Sequence, residues 1–400
     1  MRGRREWLGM ILVAMLLAGC GARVGGGSGG ATPTASSQTA TAPTSTANAG
    51  LSVMASLGWT KAKPGFPDTL AAAPSDPDTL YSCSGDPIGA SNPADVIAFS
   101  VSHDGGATWQ TTNTPAQAGR CESLAVSPTN SQAVAFLAST CRQDCGEGSF
   151  LLYASLDGGA RWTSPALPSS GPLGVAVPYA WVGATLFAAV GNSAPHVLAA
   201  SRNGGPFAWV NTSFAPLPFT SVGNTLYATL SGGSCPQDPT GCVELARSSD
   251  LGVSWSRVLP MYQGYNVRVL DVAPDGVTMI GQEARAASSG GVFPLLRSTD
   301  GGASWRALPG FPAGKGPNDT NAVFAAPDGA VFARLFGASG APPCAIFKLT
   351  PGASAWACSA QTADQFHFAL VSWDAHGHPA RVWGLVEAGY GITDLWSHPA

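Results

Sequence analysis

An octapeptide ending in tryptophan recurs along this chain, and its spacing constrains the fold more than any other feature. Ser102-His-Asp104-Gly-Gly106-Ala-Thr108-Trp109 returns as Ser155-Leu-Asp157-Gly-Gly159-Ala-Arg161-Trp162. It returns again as Ser248-Ser-Asp250-Leu-Gly252-Val-Ser254-Trp255 and as Ser298-Thr-Asp300-Gly-Gly302-Ala-Ser304-Trp305. Two copies are degenerate: Ser201 to Trp209 carries an extra residue and Asn203 for the aspartate, and Thr350 to Trp356 has lost it. Together with Trp59 the tryptophans stand at intervals of 46 to 53 residues. Short apolar runs such as Val96–Val101 and Phe150–Tyr153 precede the octapeptides, as strands should. The Ser and Asp side chains can bond turn amides, the glycines supply backbone angles closed to other residues, and the indole covers the hairpin. On this reading Asp104, Asp157, Asp250 and Asp300 are turn formers, not catalytic acids or metal ligands.

The octapeptide resembles the Asp-box, or BNR repeat, S-x-D-x-G-x-[TS]-W. A period near 50 matches one four-stranded propeller blade. Turn-plus-strand segments that look like the hairpin between the first two strands of a blade recur upstream, beginning at Ala73, Val126, Ser221, Val272 and Ala325. A seventh hairpin starts at Leu370 and has no octapeptide and no fourth strand of its own. The segment Leu51–Trp59 is expected to supply that strand and close the ring, which removes exposed sheet edges. The expected fold is all-β, a seven-bladed propeller over residues 51–400, with six or eight blades as the alternatives.

Residues 1–19 carry a different signal. Arg2, Arg4 and Arg5 precede an apolar stretch from Trp7 to Gly19, shorter than the roughly 20 residues that span a hydrocarbon core. The stretch ends in Leu17-Ala18-Gly19-Cys20, which resembles the lipobox of bacterial lipoproteins. That resemblance implies cleavage before Cys20, diacylation of its thiol, and a protein anchored in the bacterial cell membrane facing the extracytoplasmic side. Residues 20–50 are rich in Gly, Ser, Thr, Ala and Pro and read as a flexible stalk. Eight further cysteines in an exported chain suggest disulfides. Cys141/Cys145 and Cys235/Cys242 are local pairs, Cys344/Cys358 flank one expected hairpin, and Cys83/Cys121 remain. Other pairings stay open, since eight cysteines allow 105.

Charged residues make up only 11% of the chain, with a net charge of −4 and no basic cluster in its body. That excludes the electrostatic footprint of a nucleic-acid binder. The propeller resemblance implies that the Asp-boxes share one face and that ligands meet the opposite one. There the scarce charge concentrates around Arg268, Glu283 and Arg285, with Arg120, Arg142, Asp319 and the aromatic Tyr262 and Tyr265 nearby. Two function classes follow. Many Asp-box proteins are sialidases or related glycosidases. Sialidases grip their substrate carboxylate with three arginines and show an Arg-Ile-Pro motif in the opening blade. Here that motif is absent, and no Arg occurs between Thr60 and His103. The second class is a non-catalytic binding propeller, similar to the photosystem II stability/assembly factor family and to sortilin-type propellers. The expectation is a monomer that binds a protein or glycan partner on the face opposite the boxes, with no cofactor and no metal.

Overall fold

The computed structural model describes residues 55–63, 69–84, 97–112, 114, 120–139, 150–164, 179–190, 197–210, 217–235, 238–283, 294–310, 320–335, 344–361, 366–373, 379–387 and 393–399. All lie within the compact unit Ala47–Ala400. They form seven separate antiparallel sheets in chain order, the blades of a seven-bladed propeller. Blade 1 comprises Thr69–Ala73, Asp76–Ser84, Ala98–Ser102 and Gln110–Thr112. Blades 3, 4 and 6 repeat this pattern from inner strands Tyr179–Val182, Leu217–Val222 and Thr320–Ala325. Blade 2, from Arg120–Val126, has three full strands, and its fourth rung is reduced to the pair Ala154 and Thr163. Blade 5, from Tyr265–Val272, gains a fifth strand, Met261–Tyr262. From blade 7 through blade 1 to blade 6, the first strand of each blade touches the first strand of the next.

Blade 7 closes the ring. Its strands Phe366–Trp373, Pro379–Glu387 and Thr393–Pro399 take their fourth member, Thr60–Lys63, from the other end of the chain. Thr60 lies opposite Ser397 and Lys61 opposite Trp396. The closing strand therefore starts after the segment Leu51–Trp59 expected for it. Ala55–Ser56 form a helical turn instead, and Gly58, at φ 86°, turns the chain into the strand. Trp59 is buried just ahead of it, with its ring 5.2 Å from that of His398.

The core sits in the seams between blades. Tyr81 and Phe99 of blade 1 pack with Phe136 of blade 2, and Leu137 of blade 2 packs with Trp181 of blade 3. Leu80 meets Trp383 where blade 1 adjoins blade 7. Tyrosines cross the seams at equivalent positions. The Tyr81 hydroxyl donates to the Ser131 carbonyl at 2.7 Å, and that of Tyr227 to the Gly276 carbonyl at 2.8 Å. A disulfide joins Cys83 in blade 1 to Cys121 in the inner strand of blade 2, and another joins Cys344 to Cys358 across two strands of blade 6. Cys141 and Cys145 lie outside the described residues, as do the side chains of Cys235 and Cys242.

Each octapeptide folds into the same turn. In the first, the Ser102 hydroxyl donates to Asp104 Oδ1 at 2.8 Å and accepts from the Gly106 amide at 2.8 Å. Asp104 in turn accepts from the amide and hydroxyl of Thr108, and Trp109 Nε1 donates to the Gly106 carbonyl at 3.0 Å. Ser248 to Trp255 and Ser298 to Trp305 repeat these bonds. The hydroxyls of Thr108, Ser254 and Ser304, helped by the turn amides, pull Asp104, Asp250 and Asp300 down to about 2. At Asp157 burial works the other way, but the bonds from Arg161 and Ser155 outweigh it and its pKa is lowered. Trp162 differs from the other indoles by packing edge-on against Phe99 and Phe136, at 4.6 and 4.8 Å.

The second octapeptide glycine also fixes the distance between blades. Gly106 has φ 83°, and a β-carbon there would stand 2.6 Å from the Trp383 ring of blade 7. Gly159 approaches Phe99 of blade 1 in the same way, at 3.0 Å. Gly106→Ala should therefore cost about 2–3 kcal/mol through overpacking and an unfavourable φ. Gly223→Ala, at φ 54° with nothing within 4 Å, should cost far less. Equilibrium denaturation of the two variants checks this, and equal losses would sink the packing explanation.

One seam carries a titratable link. Asp271, in the inner strand of blade 5, accepts a 2.8 Å hydrogen bond from the Ala325 amide in the inner strand of blade 6. Burial pushes its carboxyl up to about 7, against the pull of the Ala325 and Val272 amides. The native chain thus holds a proton that the unfolded chain releases near pH 4. This contribution to stability is complete below that value, falls as pH rises toward 7, and is constant above. The turn aspartates have the opposite sign and lose their contribution as pH falls from about 4 to about 2. In Asp271→Asn the downward slope of melting temperature between pH 4 and 7 should flatten relative to the parent, while acid unfolding below pH 4 persists. Parallel profiles would rule the link out.

Candidate binding surface on the face opposite the turns

The octapeptide turns and the hairpins between first and second strands lie at one end of the blades, so the other loops occupy the opposite face. On that face the second and third strands of blade 4, Thr225–Cys235 and Asp238–Ser248, outrun their neighbours. The inner strand pairs no further than Thr229, and the outer strand no further than Leu245. Beyond them the two strands continue as a ribbon, with register shifts at Ser231/Gly233 and Gly233/Cys235, until Cys235 faces Asp238.

Beside the ribbon stands the extra hairpin of blade 5. Gln263 and Gly264 both have positive φ, 50° and 85°, the backbone of a two-residue turn matched to strand twist. Tyr262 and Tyr265 flank it directly opposite each other, which puts both half-exposed rings on one side. Tyr262 also packs onto the seam between blades 4 and 5. Asn266, buried at the base, ties hairpin to ribbon. Its Oδ1 accepts from the Val243 amide at 2.9 Å, and its Nδ2 donates to the Val243 and Pro260 carbonyls, each at 3.0 Å. One side-chain amide thus does for Val243 what a neighbouring strand would do.

Arg268 and Glu283, grouped by the sequence on this face, do not converge. Val267 pairs with Glu283, and Arg268 with Gln282. Cross-strand partners share a face and adjacent residues point to opposite faces, so Arg268 and Glu283 look away from each other across the sheet. Val267 and Val269 pack toward blade 4, which puts Glu283, 3% exposed, on that side. Ile280 packs toward blade 6, which puts Gln282 and the exposed Arg268 on the other. Arg285, Arg142 and Asp319 lie outside the described residues. Arg120 opens the inner strand of blade 2, with its side chain outside them.

Sequence reasoning missed Asn266, the Gln263-Gly264 turn and the ribbon. The tyrosines were placed on this face by the expected loop between blades, but their juxtaposition depends on a Gln-Gly pair, a weaker turn signal than Asn-Gly. Several other carboxylates among the described residues are taken up locally. Glu244 accepts from Arg257 Nε at 2.6 Å on the adjacent strand. The octapeptide aspartates are each enclosed in their own turn on four different blades. Among the described residues no three His, Cys, Asp or Glu side chains gather as a metal site, and no helix is long and apolar enough to cross a membrane.

No protein-family model matches the sequence, and no curated protein matches it. Among solved structures, an oligogalacturonate lyase in complex with manganese is similar with a TM-score of 0.51 and 12% identity, over 85% of this chain and 90% of that one. The GH74 enzyme of Niastella koreensis is similar with a TM-score of 0.50 and 17% identity, over 82% of this chain and 51% of that one. The chain thus spans about half the length of that enzyme. A structure described as YCF48 bound to D1 peptide gives 0.49 and 12% identity, over 86% of this chain and 97% of that one. At these identities the likeness is one of fold, that of a seven-bladed β-propeller.

Proposed function

We infer that this chain is an exported, lipid-anchored Asp-box propeller of the bacterial envelope that binds a protein or glycan partner without turning it over. The observation that carries the reading is the blade 4 ribbon beside the tyrosine hairpin of blade 5. The ribbon's inner edge, Leu230–Cys235, continues past its last partner among the described strands. An edge of that kind accepts an added strand, and half-exposed tyrosines on a rigid turn supply contact area at little entropic cost. The exposed Arg268 gives the same face a cation. The separation of Arg268 from Glu283 and the local pairing of Glu244 favour recognition over carboxylate catalysis. The anchor rests on Arg2, Arg4, Arg5 and the run Leu17-Ala18-Gly19-Cys20. Two acyl chains suffice for stable attachment.

Two measurements check this. Fractionation of cells should place the parent with membranes, and Cys20→Ser should abolish lipid labelling and release the chain. Pull-down from membranes and a glycan array, with Cys20→Ser as soluble bait, should identify a partner. Tyr265→Ala and Arg268→Ala should each weaken that partner's binding about tenfold, or ~1.4 kcal/mol, with little change in melting temperature. Turnover of a fluorogenic glycoside that disappears on Glu283→Gln would replace the binding reading with the glycosidase one.

A further inference from the structure

The face that carries the octapeptide turns has an opening of its own. Between blades 4 and 5 lies a cleft of about 600 Å³, lined by Thr225, Tyr227, Arg247, Ser249, Ser256 and Asp275, among others. Its volume is within the range of small-ligand sites. The repeat itself explains why Arg247 is available there. Arg247 and Arg297 hold the same position, immediately before the octapeptide serine, in blades 4 and 5. Arg297 is used structurally: its Nη1 donates at 2.8 Å to the carbonyl of Gly329 in the first turn of blade 6. The matching carbonyl in blade 5, that of Gly276, is already taken by the Tyr227 hydroxyl at 2.8 Å. Blade 5 has Ile280 where blade 4 has Tyr227, so only there does the arginine take the carbonyl. Blade 4 carries both groups, and the tyrosine leaves its arginine without that task.

Arg247 is exposed and forms no ion pair among the described residues. Its Nη1 lies over the next octapeptide turn, 3.2 Å from where a β-carbon on Gly301 would stand. The nearby carboxylates, Asp275 in the cleft lining included, already accept hydrogen bonds from their own turns. Asp275 Oδ1 accepts from the Val277 and Thr278 amides at 2.8 Å each, and Oδ2 from the Thr278 hydroxyl at 2.7 Å. Asp250 is held by Ser248 and Ser254. What remains for a ligand is one guanidinium, the exposed hydroxyls of Ser249 and Ser256, and an apolar wall of Val222 and Pro274.

We propose that this cleft is a second binding site, for a carboxylate-bearing sugar whose uronate group is gripped by Arg247. A planar guanidinium matches a carboxylate with two parallel hydrogen bonds. The serine hydroxyls, as both donors and acceptors, match vicinal sugar hydroxyls, and the apolar wall suits the C–H face of a pyranose. Among the described residues the cleft is lined mostly by turn residues and side chains, and it meets the outer strand of blade 4, Ser256–Val258, only at its first residue, so a sugar fits better than an extended acidic peptide.

The test is titration of the intact chain with a glucuronate-terminated disaccharide, its glucose-terminated counterpart and N-acetylglutamate, read by calorimetry or by chemical-shift changes. The glucuronate compound should bind saturably, at least tenfold tighter than the glucose one, with an affinity that falls as salt is raised. Arg247→Gln should abolish that preference, Arg247→Lys should restore part of it, and Arg306→Ala, an exposed arginine on the outer strand of blade 5, should leave it intact. Arg268→Ala should also leave it intact, which separates this site from the surface on the other face. Equal binding of the two disaccharides, or a preference that survives Arg247→Gln, overturns the proposal. Binding of N-acetylglutamate as tight as that of the glucuronate compound replaces the sugar with an acidic peptide.

Discussion

Each blade is a sheet of three to five strands with apolar side chains on both faces, and such a sheet is stable only when both faces are covered. The seam between neighbours is therefore the constraint on which everything else depends. It explains why the second octapeptide glycine has to be a glycine. At Gly106 and Gly159 the turn lies so close to an aromatic ring of the preceding blade that any side chain would force the two apart. The tyrosine struts from Tyr81 and Tyr227, the Cys83–Cys121 disulfide and the Asp271 bond to Ala325 all serve the same boundary by different chemistry.

This constraint also accounts for where much of the scarce charge has gone. The octapeptide aspartates hold turns, Glu244 holds Arg257, and Arg297 holds a neighbouring turn. A chain with few ionisable groups that commits so many to its frame retains few for chemistry. Those left over are informative for that reason: Arg268 on one face and Arg247 on the other are cations that the frame does not use.

The blade period, the turn residues and the Cys344–Cys358 disulfide were readable in the sequence because each is local or repeats, whereas Cys83–Cys121, which joins two blades, was reached only as the pair left over. Ser102 and Asp104 meet within one turn, and the tryptophans count the blades directly. The arrangement of Arg268 and Glu283 was not readable, because it depends on register. Inner strands carry an extra residue in several blades, as at Glu122, Phe219, Leu270 and Asn321. Each such bulge reverses which side chains face which neighbour, and apolar alternation in a short strand does not reveal it. The start of the closing strand was misplaced for a similar reason. Trp59 looked like part of the strand, but Gly58 bends the chain ahead of it, and the strand begins one residue later.

The pairing of Thr60 with Ser397 has a consequence for how the ring comes into being. Blades 1 to 6 are assembled from neighbouring sequence and can form as the chain emerges. The last blade must wait for a contact between residues separated by nearly the whole length of the polypeptide. Contacts this distant in sequence are slow to find, because the intervening chain must be ordered first. Until they form, two seams at opposite ends of the chain stay open to water. An incomplete ring is thus sticky at both ends, and an early encounter between two unfinished molecules would offer each the surface that its own final strands should cover.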